Sequence, residues 1–249
     1  MSLFDRFNLG VGFSKYFKIE AAATDAVRDE VFRVRHEVYC EELKFEPERP
    51  DRRETDAYDA NSLHCLLRGS QPPHPSVGCI RLVLPPPNAL DDLLPFENTC
   101  AHTIDRKLID PRKLDRSRIA EVSRLAVRST YRRRKGEQDV AVALNDDDYE
   151  LAGRQPRFPY IPIGLYLGSV ALAARYDIAT LFVLTEPRLA SHFSKLGVEI
   201  KQIGGPVEHR GTRVPSMMDV QGIIKGLRFM VKPIWRVIQS QIDASAPPR

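Results

Sequence analysis

The stretch RIAEVSRLAV, residues 118–127, is the clearest guide to the fold of this chain. Its apolar and β-branched residues predict a strand buried in a sheet. Two charged residues, Glu121 and Arg124, interrupt the run three positions apart. Because an unpaired charge inside a protein is very costly, both side chains need partners. We therefore expect a strand that belongs to the core and also carries functional groups.

Other predicted strands and helices lie on both sides of this stretch. The segments SLHCLLRG (62–69) and VGCIRLVLP (77–85) predict a hairpin with a long, turn-rich loop. The predicted elements that follow are a helix at 163–176, a strand at 179–184, a helix at 187–197 and a strand at 198–203. This alternation of strand and helix favours a mixed α/β layer fold.

The two ends of the chain differ from its central part. Residues 1–22 form an apolar and aromatic leader, and residues 221–249 form an apolar and basic helix with a short tail. Between them, residues 23–220 are the predicted domain, which opens with a helix over 26–43 capped by Thr24. The two ends either pack against protein or make a peripheral contact with the inner face of a membrane.

Composition excludes several classes of protein. Of the 249 residues, 43% are hydrophobic and 28% are charged, which is typical of a globular chain and not of a disordered or collagen-like one. The 4 cysteines include no CxxC pair, which indicates reduced thiols, and we expect a cytoplasmic protein. Adjacent His64 and Cys65 would point to opposite faces of a strand, so we expect no bound metal.

Positive charge is concentrated in one stretch. The whole chain has a formal net charge of +4, whereas residues 111–136 hold ten basic residues against Asp115 and Glu121. No interleaved aromatic residues or groove-reading motif accompany the run, so we expect no nucleic acid partner. The run is either a solvated face or a docking surface for an acidic protein.

A second set of polar residues stands where an ordinary core would not have them. Arg35 lies one helical turn before Tyr39, so both share one helix face, and Phe45 follows the helix. Arg81 interrupts an apolar strand as Glu121 does. The economical arrangement is one shared ionic network of Arg35, Asp56, Asp59, Arg81, Glu121 and Arg124. A purely structural ion-pair network is the alternative.

The order and spacing of these residues resemble the signature of the acyl-homoserine-lactone (autoinducer) synthases. The matching elements are Arg35-x-x-x-Tyr39, Phe45, Glu54-x-Asp56-x-Tyr58-Asp59, Gly78-x-x-Arg81 and Glu121-x-x-Arg124. The long-chain N-acyl amino acid synthases share this architecture. The phrases RHEVYCEELKFEP and AEVSRLAV look most like acyltransferases associated with the exosortase (PEP-CTERM) protein-sorting system.

This resemblance covers about residues 28–220 and implies the fold. The implied class is α/β (α+β), a GNAT-like three-layer fold in which a central, mixed and twisted sheet has helices on both faces. In this fold a backbone N–H of a splayed central strand, here at 121–127, stabilises the oxyanion of the reaction.

The resemblance also implies an N-acyltransferase in which an amine attacks a fatty acyl thioester on phosphopantetheine, with no bound cofactor. An ammonium is not nucleophilic, so a carboxylate such as Glu121 or Asp56 must take a proton, directly or through water. The implied catalytic residues are Glu121, Asp56 and Arg81. The implied substrate-binding residues are Arg35, Tyr39, Phe45, Asp59 and Arg124.

The basic run is the implied site for the acyl donor. Its residues are Arg132, Arg133, Arg134, Lys135 and Gly136. They resemble the phosphate loop of the fold, but Gln138 stands where its last small residue belongs. This departure favours acyl carrier protein, an acidic partner with one phosphodiester, over coenzyme A.

The acceptor is a small amine, and the sequence leaves its identity open. Phe45 stands where the lactone synthases favour tryptophan, a departure from the enzymes that use S-adenosylmethionine. The resemblance to the N-acyl amino acid synthases implies an amino acid or a similar amine. One alternative is a true acyl-homoserine-lactone synthase that uses S-adenosylmethionine. The other is an inactive GNAT-like module that binds acyl carriers or lipids.

Overall fold

The computed structural model describes residues 8–132, 159–186, 193–194 and 196–247. The strands in these ranges are β1 (Phe17–Ala21), β2 (Ser62–Gly69), β3 (Ser76–Val83), β4 (Ile119–Val127), β5 (Thr180–Thr185), β6 (Lys201–Gln202), β7 (Val207–Glu208) and β8 (Thr212–Asp219). The α-helices are α1 (Leu9–Tyr16), α2 (Asp25–Arg35), α3 (Pro95–Thr99), α4 (Tyr160–Arg175), α5 (Val220–Gly226) and α6 (Lys232–Ser245).

The strands form a mixed sheet. Their order is β1-β2-β3-β4-β5-β8-β6, and β7 pairs with β8. Neighbours from β1 to β4 are antiparallel, β4 and β5 are parallel, and β8 is antiparallel to both β5 and β6. A parallel pair needs a crossover connection, and α4 lies within the crossover between β4 and β5. The predicted mixed α/β class is confirmed.

Helices cover both faces of the sheet. On one face, α1, α4, α5 and α6 pack on an apolar cluster that includes Leu67 and Val122. On the other face, α2 packs over Leu66, and α3 lies in a separate cluster with Val83. The predicted helix at 163–176 is confirmed as α4, which is buried along most of its length. Among the described residues, no helix is both long enough and apolar enough to cross a bilayer.

The described residues at the two ends of the chain, 8–22 and 221–247, pack into this core. β1 is an edge strand of the sheet, and Phe13 of α1 is fully buried. α5 and α6 contribute Ile223 and Trp235 to the same apolar cluster. Gly10 lies so close to α6 that a Cβ atom there would come within 2.7 Å of the Pro233 carbonyl oxygen. For these residues, packing against the domain is the correct alternative.

Two predictions for the second half of the chain need revision. The strand predicted at 198–203 is reduced to the two residues of β6, which pair with Met217 and Ser216. The long strand beside β5 is β8, whose sequence TRVPSMMD contains Pro215, a residue that usually argues against an inner strand. The helix predicted at 187–197 lies mostly outside the described residues.

A bulge in β4 shapes the surface on which the site forms. Cys79 pairs with Ala126 but Arg81 pairs with Ser123, so β4 has one extra residue between these pairs. In this stretch Arg124 has a φ of +49°, a conformation that costs a residue other than glycine free energy. Pairing with β5 covers only the first four residues of β4. Beyond the bulge, β4 therefore continues beside β3 alone.

Candidate active site

Arg35 is the buried centre of the site. α2 starts after its cap Thr24 and ends at Arg35, and the chain continues as a π-helix over His36–Glu42. π-helical turns are rare and often mark functional positions. The buried guanidinium donates from Nε to Glu54 at 2.5 Å, and from Nη1 and Nη2 to Asp59 at 2.6 and 3.0 Å. One cation thus pairs with two carboxylates.

Arg81 of β3 holds the same group of carboxylates from the sheet. Its Nε donates to Ser123 Oγ at 3.0 Å, and its Nη1 donates to Asp56 at 2.7 Å and to Asp59 at 2.9 Å. Asp59 also accepts from the backbone N–H of Asp56 at 2.8 Å, which caps the 3-10 turn at Ala57–Asn61. The turn and the ionic contacts therefore stabilise each other.

Arg124 reaches the network because of the bulge in β4. Strict alternation along the strand would place its side chain on the face of Val122, in the apolar core. Instead its Nη2 donates to Glu54 at 3.1 Å and to Asp56 at 2.9 Å on the opposite face. Its guanidinium also lies 5.7 Å from the centre of the Tyr39 ring, within the range of a cation–π interaction.

The ionic network balances its charges. Burial raises the pKa of Glu54 and of Asp59, but their arginine partners outweigh burial and hold both pKa values below the usual range. Desolvation lowers the pKa of Arg35, and its two carboxylate partners outweigh desolvation. Two members stay accessible, since the side chains of Asp56 and Arg124 are 24% and 17% exposed. The network therefore has a buried part and a partly exposed rim, which Asp56 and Arg124 form.

Two aromatic rings border the ionic network. The Tyr39 hydroxyl donates to the Leu125 carbonyl at 2.9 Å, and burial raises the pKa of Tyr39 to about 12. The Phe45 ring stacks on Tyr39 with 6.4 Å between ring centres. The guanidinium of Arg210 lies 5.4 Å from the centre of the Phe45 ring and pairs with Glu46. Tyr39 and Phe45 thus lie beside the ionic network, as the sequence predicts.

Glu121 is not a member of the ionic network, contrary to the expectation from its spacing. It precedes the bulge and lies next to α3, where its Oε2 accepts from the Phe96 backbone N–H at 2.7 Å. The stacked rings of Phe96 and Phe182, 4.6 Å apart, lie in the same apolar region. Burial raises the pKa of Glu121 to about 8, although the Phe96 N–H, Arg81 and Arg124 oppose this shift. Glu121 can therefore exchange a proton near neutral pH.

The described part of the basic run forms ion pairs within the domain. Arg132 is 8% exposed and pairs with Glu42 of the π-helix, which also accepts from the Ser129 N–H at 3.0 Å. Arg128 pairs with Glu37 at 3.0 Å. Arg132 therefore tethers the segment after β4, and its part in donor binding stays a prediction. The other predicted donor-binding residues, Arg133, Arg134, Lys135 and Gly136, lie outside the described residues.

His64 and the four cysteines belong to the core. Burial lowers the pKa of His64 to about 3, so its ring is neutral beside the Asp59 carboxylate, 3.7 Å away. The cysteines are free and buried, and burial raises the pKa of the Cys79 thiol to about 12. In the part of the chain that the structure describes, no three histidine, cysteine or acidic side chains are grouped to hold a metal ion.

Three members of the site, Ser123, Glu46 and Arg210, have little or no signal in the sequence. The Ser123 hydroxyl accepts from Arg81, and its alternation with Glu121 along the strand is the signal that could have found it. Glu46 follows Phe45 directly in the sequence, and this neighbouring position is the one feature that indicates a place in the site. Arg210 lies 164 residues after its partner Glu46, so no local pattern connects the two residues.

Comparison with known protein families agrees with this fold. Residues 34–141 match the acetyltransferase (GNAT) domain. The matched range includes α2 from residue 34, the π-helix and β4, and therefore every member of the ionic network. No curated protein matches the chain.

Solved structures of acyl synthases share the fold. The CoA-dependent acyl-homoserine lactone synthase BjaI, with SAM and isopentyl-CoA, is 18% identical over 94% of this chain and 95% of its own, with a TM-score of 0.53. The AHL synthase LasI is 17% identical over 86% and 98%, with a TM-score of 0.56. FeeM, an N-acyl amino acid synthase from uncultured soil microbes, is 15% identical over 86% and 96%, with a TM-score of 0.53. The resemblance to exosortase-associated acyltransferases stays a prediction.

We expect Arg35→Met to destabilise the fold by about 3–5 kcal/mol, because it leaves Glu54 and Asp59 buried with one cationic partner fewer. Arg33→Met is the matched control on the same helix. Its side chain is 53% exposed and pairs with Asp29, so the expected loss is much smaller than that of Arg35→Met. Urea unfolding of both variants measures these losses, and equal losses would contradict the central place of Arg35.

The pH dependence of stability provides a second readout for the same pair of variants. Carboxyl groups whose pKa is lowered on folding stabilise the protein above their ordinary pKa of about 4, and this contribution is lost as the pH falls further. The wild type and Arg33→Met should therefore lose stability steeply on acidification. Arg35→Met should lose less, because Glu54 and Asp59 no longer gain as much from folding.

Proposed function

We propose that this chain, an acyltransferase of the GNAT fold, moves a fatty acyl group from the phosphopantetheine thioester of acyl carrier protein to the amine of an amino acid or a similar acceptor. One observation carries the proposal. Glu121, a buried carboxyl group with a pKa of about 8, lies on β4 three residues before the bulge at Arg124. A proton acceptor therefore stands next to the point where β4 and β5 part.

The acceptor amine must lose a proton before it attacks, since an ammonium has no lone pair. Glu121 takes this proton, directly or through a water molecule, and a pKa of about 8 suits a base at neutral pH. The nitrogen attacks the thioester carbonyl carbon and the C–N bond forms. In the tetrahedral intermediate the nitrogen still carries a second proton and a positive charge. As the C–S bond breaks, this proton passes, directly or through water, to the departing phosphopantetheine thiolate, and Glu121 releases the first proton to solvent.

Negative charge develops on the thioester oxygen during this attack. The backbone of β4 after its first four residues has no pairing partner on β5, which supports a backbone N–H there as the oxyanion donor. The mechanism needs no nucleophilic side chain. The nearby thiol of Cys79 is buried with a pKa of about 12, which is consistent with direct attack by the amine.

The exposed rim of the ionic network supports an amino acid as the acceptor. Asp56 and Arg124 are partly exposed there and carry opposite charges 2.9 Å apart. An amino acid has an ammonium and a carboxylate at a comparable separation, so it can pair with both side chains. Arg35, Glu54 and Asp59 lie beneath this pair and hold it in place.

The same region disfavours S-adenosylmethionine, the acceptor of the alternative reaction. Its sulfonium is a cation, and cations bind favourably over aromatic faces. At Phe45, however, the Arg210 guanidinium already lies over the ring. A second cation at this ring would be repelled by the first.

Acyl carrier protein is the proposed donor because of charge. Arg133, Arg134 and Lys135 are consecutive cations that follow the tethered Arg132. An acidic carrier protein would be attracted to them, whereas coenzyme A would gain less. A coenzyme A thioester is the alternative donor, and the structure of BjaI described above is that of a CoA-dependent synthase.

Product analysis tests the proposed function directly. We expect the purified protein to convert hexadecanoyl carrier protein and a mixture of amino acids into N-acyl amino acids, detected by mass spectrometry, with release of the carrier thiol. S-adenosylmethionine is offered in a parallel reaction. Acyl lactones as the only product would contradict the proposal, and the absence of any product with every donor would favour an inactive binding module.

The role of Glu121 is tested by pH profiles. We expect kcat of the wild type to rise with pH through about 8, since a base acts when deprotonated. Glu121→Gln keeps the shape and the Phe96 hydrogen bond, and should lower kcat by about 100-fold or more and abolish this rise. Asp56→Asn should lower activity but keep the rise. If Asp56→Asn abolished the rise of kcat with pH and Glu121→Gln kept it, Asp56 would be the base.

Glu121→Gln also has an expected effect on stability. The pKa of Glu121 is raised on folding from an ordinary value of about 4 to about 8, so its ionisation destabilises the folded wild type as the pH rises between these values. Glu121→Gln lacks this loss, and its unfolding free energy should exceed that of the wild type at pH 9. The same measurement shows whether Glu121→Gln is folded. If the folded Glu121→Gln protein has the kcat of the wild type, Glu121 is not the base.

Neutralising the basic run tests the donor. We expect Arg133→Gln/Arg134→Gln/Lys135→Gln to raise KM for acyl carrier protein by about tenfold and to change KM for an acyl coenzyme A much less. Added salt should weaken the wild type with the carrier protein in the same way. The control triple variant changes Lys18, Lys107 and Lys201, which are exposed cations outside residues 111–136, to glutamine. Equal losses with both donors would instead place the run at the phosphate that they share.

A further inference from the structure

The turn between α5 and α6 exposes two large apolar side chains. Phe229 is 87% exposed and Met230 is 65% exposed, and no other large apolar side chain in the described ranges exceeds 53%. They occupy the central positions of a turn that a hydrogen bond from the Val231 N–H to the Arg228 carbonyl closes at 2.8 Å. Glycine, proline and small polar residues dominate such positions. Two large and exposed apolar side chains are therefore unusual at these positions. Phe229 and Met230 are here named the apolar tip.

The apolar tip is held away from the core by the residues on either side of it. Leu227 and Val231 are both buried in the main apolar cluster. The Leu227 N–H donates to the Ile223 carbonyl at 3.0 Å, and the Arg228 N–H donates to the Leu196 carbonyl at 3.2 Å. The tip could fold back onto the domain only if these anchors were released.

Positive charge surrounds the apolar tip. The exposed cations of this segment are Lys225, Arg228, Lys232 and Arg236. The sequence has no acidic residue between Asp219 and Asp243. None of the four cations has a carboxylate partner among the described residues, in contrast to the arginines of the active site. Arg236 also shares an open groove of about 630 Å³ with Lys15 of α1, which extends the positive surface.

We infer that the apolar tip and its four cations bind the surface of an anionic lipid bilayer. Phe229 and Met230 insert among the acyl chains, and the cations contact the lipid phosphates. Neither contribution alone gives stable binding, but apolar insertion and a basic cluster reinforce each other. This site replaces the broader contact that the sequence suggests for both ends of the chain, most of whose apolar residues in the described ranges are buried.

Size and charge favour lipid over a protein partner at this surface. A stable interface between proteins buries at least about 1,200 Å² and contains few lysines, whereas the tip offers two side chains among cations. A lipid surface needs no matching shape and supplies many phosphates. The inference does not depend on the proposed acyl transfer, because vesicle binding is measured without turnover.

Flotation of the full-length protein with lipid vesicles tests the inference. We expect binding to vesicles of phosphatidylglycerol and phosphatidylcholine at low salt, and about tenfold weaker binding to phosphatidylcholine alone. Phe229→Ser/Met230→Ser should weaken binding to the anionic vesicles by at least about tenfold, with an unchanged melting temperature. The matched control is Leu90→Ser/Leu93→Ser, which changes two leucines, 38% and 40% exposed, beside Asp91 and Asp92. This control should bind as the wild type does.

Fluorescence distinguishes insertion from adsorption by charge. The chain has 1 tryptophan, Trp235, which is buried. Phe229→Trp adds a second at the tip, and brominated lipids should quench the added emission when the protein is bound. Lys225→Gln/Lys232→Gln should reduce the preference for anionic vesicles.

Three results would overturn the inference. The first is a wild type that does not float with anionic vesicles at low salt. The second is equal binding by the wild type and by Phe229→Ser/Met230→Ser, which would show adsorption by charge alone. The third is self-association of the wild type that this double variant abolishes, since a second copy of the chain would then cover the tip.

Discussion

The fully buried guanidinium of Arg35 is the constraint on which the site depends. A desolvated cation is tolerated only where carboxylates surround it, and here Glu54 and Asp59 supply them. Those carboxylates in turn hold Arg81 of β3 and Arg124 of β4. The end of α2, the loop at residues 54–59 and two central strands must therefore reach their positions together. Loss of any one charge leaves its partners with one ionic contact fewer.

The site contains two kinds of carboxyl group, and their environments assign them different roles. Glu54 and Asp59 lie against arginines, which hold their pKa values low and keep them ionised. Glu121 lies only two positions from Ser123 on the same strand, but it is surrounded by Phe96 and other apolar groups, and its pKa is about 8. Permanent charges thus position the site, while a carboxyl group that can exchange a proton stands beside it.

The backbone of β4 connects these two environments. Before the bulge, β4 pairs with β5 and presents Glu121 towards α3. At the bulge, the positive φ of Arg124 turns a side chain that would enter the apolar core into the ionic network. The pairing with β5 ends at Val122, two residues before this strained position. The charge that joins the network and the opening between strands therefore lie next to each other on β4.

Patterns in the sequence predict the class of fold, the helix that Thr24 caps, and most members of the ionic network. They can do so because strand and helix periodicity is local, and because charges inside apolar strands must be paired. Which of these charged residues form ion pairs with each other depends on the tertiary structure. Glu121 and Arg124 are both charged residues in the same apolar stretch, and the sequence predicts both as members of the network. The one-residue bulge in β4 places their side chains in different surroundings. Arg210 joins Glu46 across 164 residues of chain. The composition of the two apolar ends predicts separate segments. Their described residues nevertheless lie in the common core, because only the folded sheet offers the apolar surface that buries them.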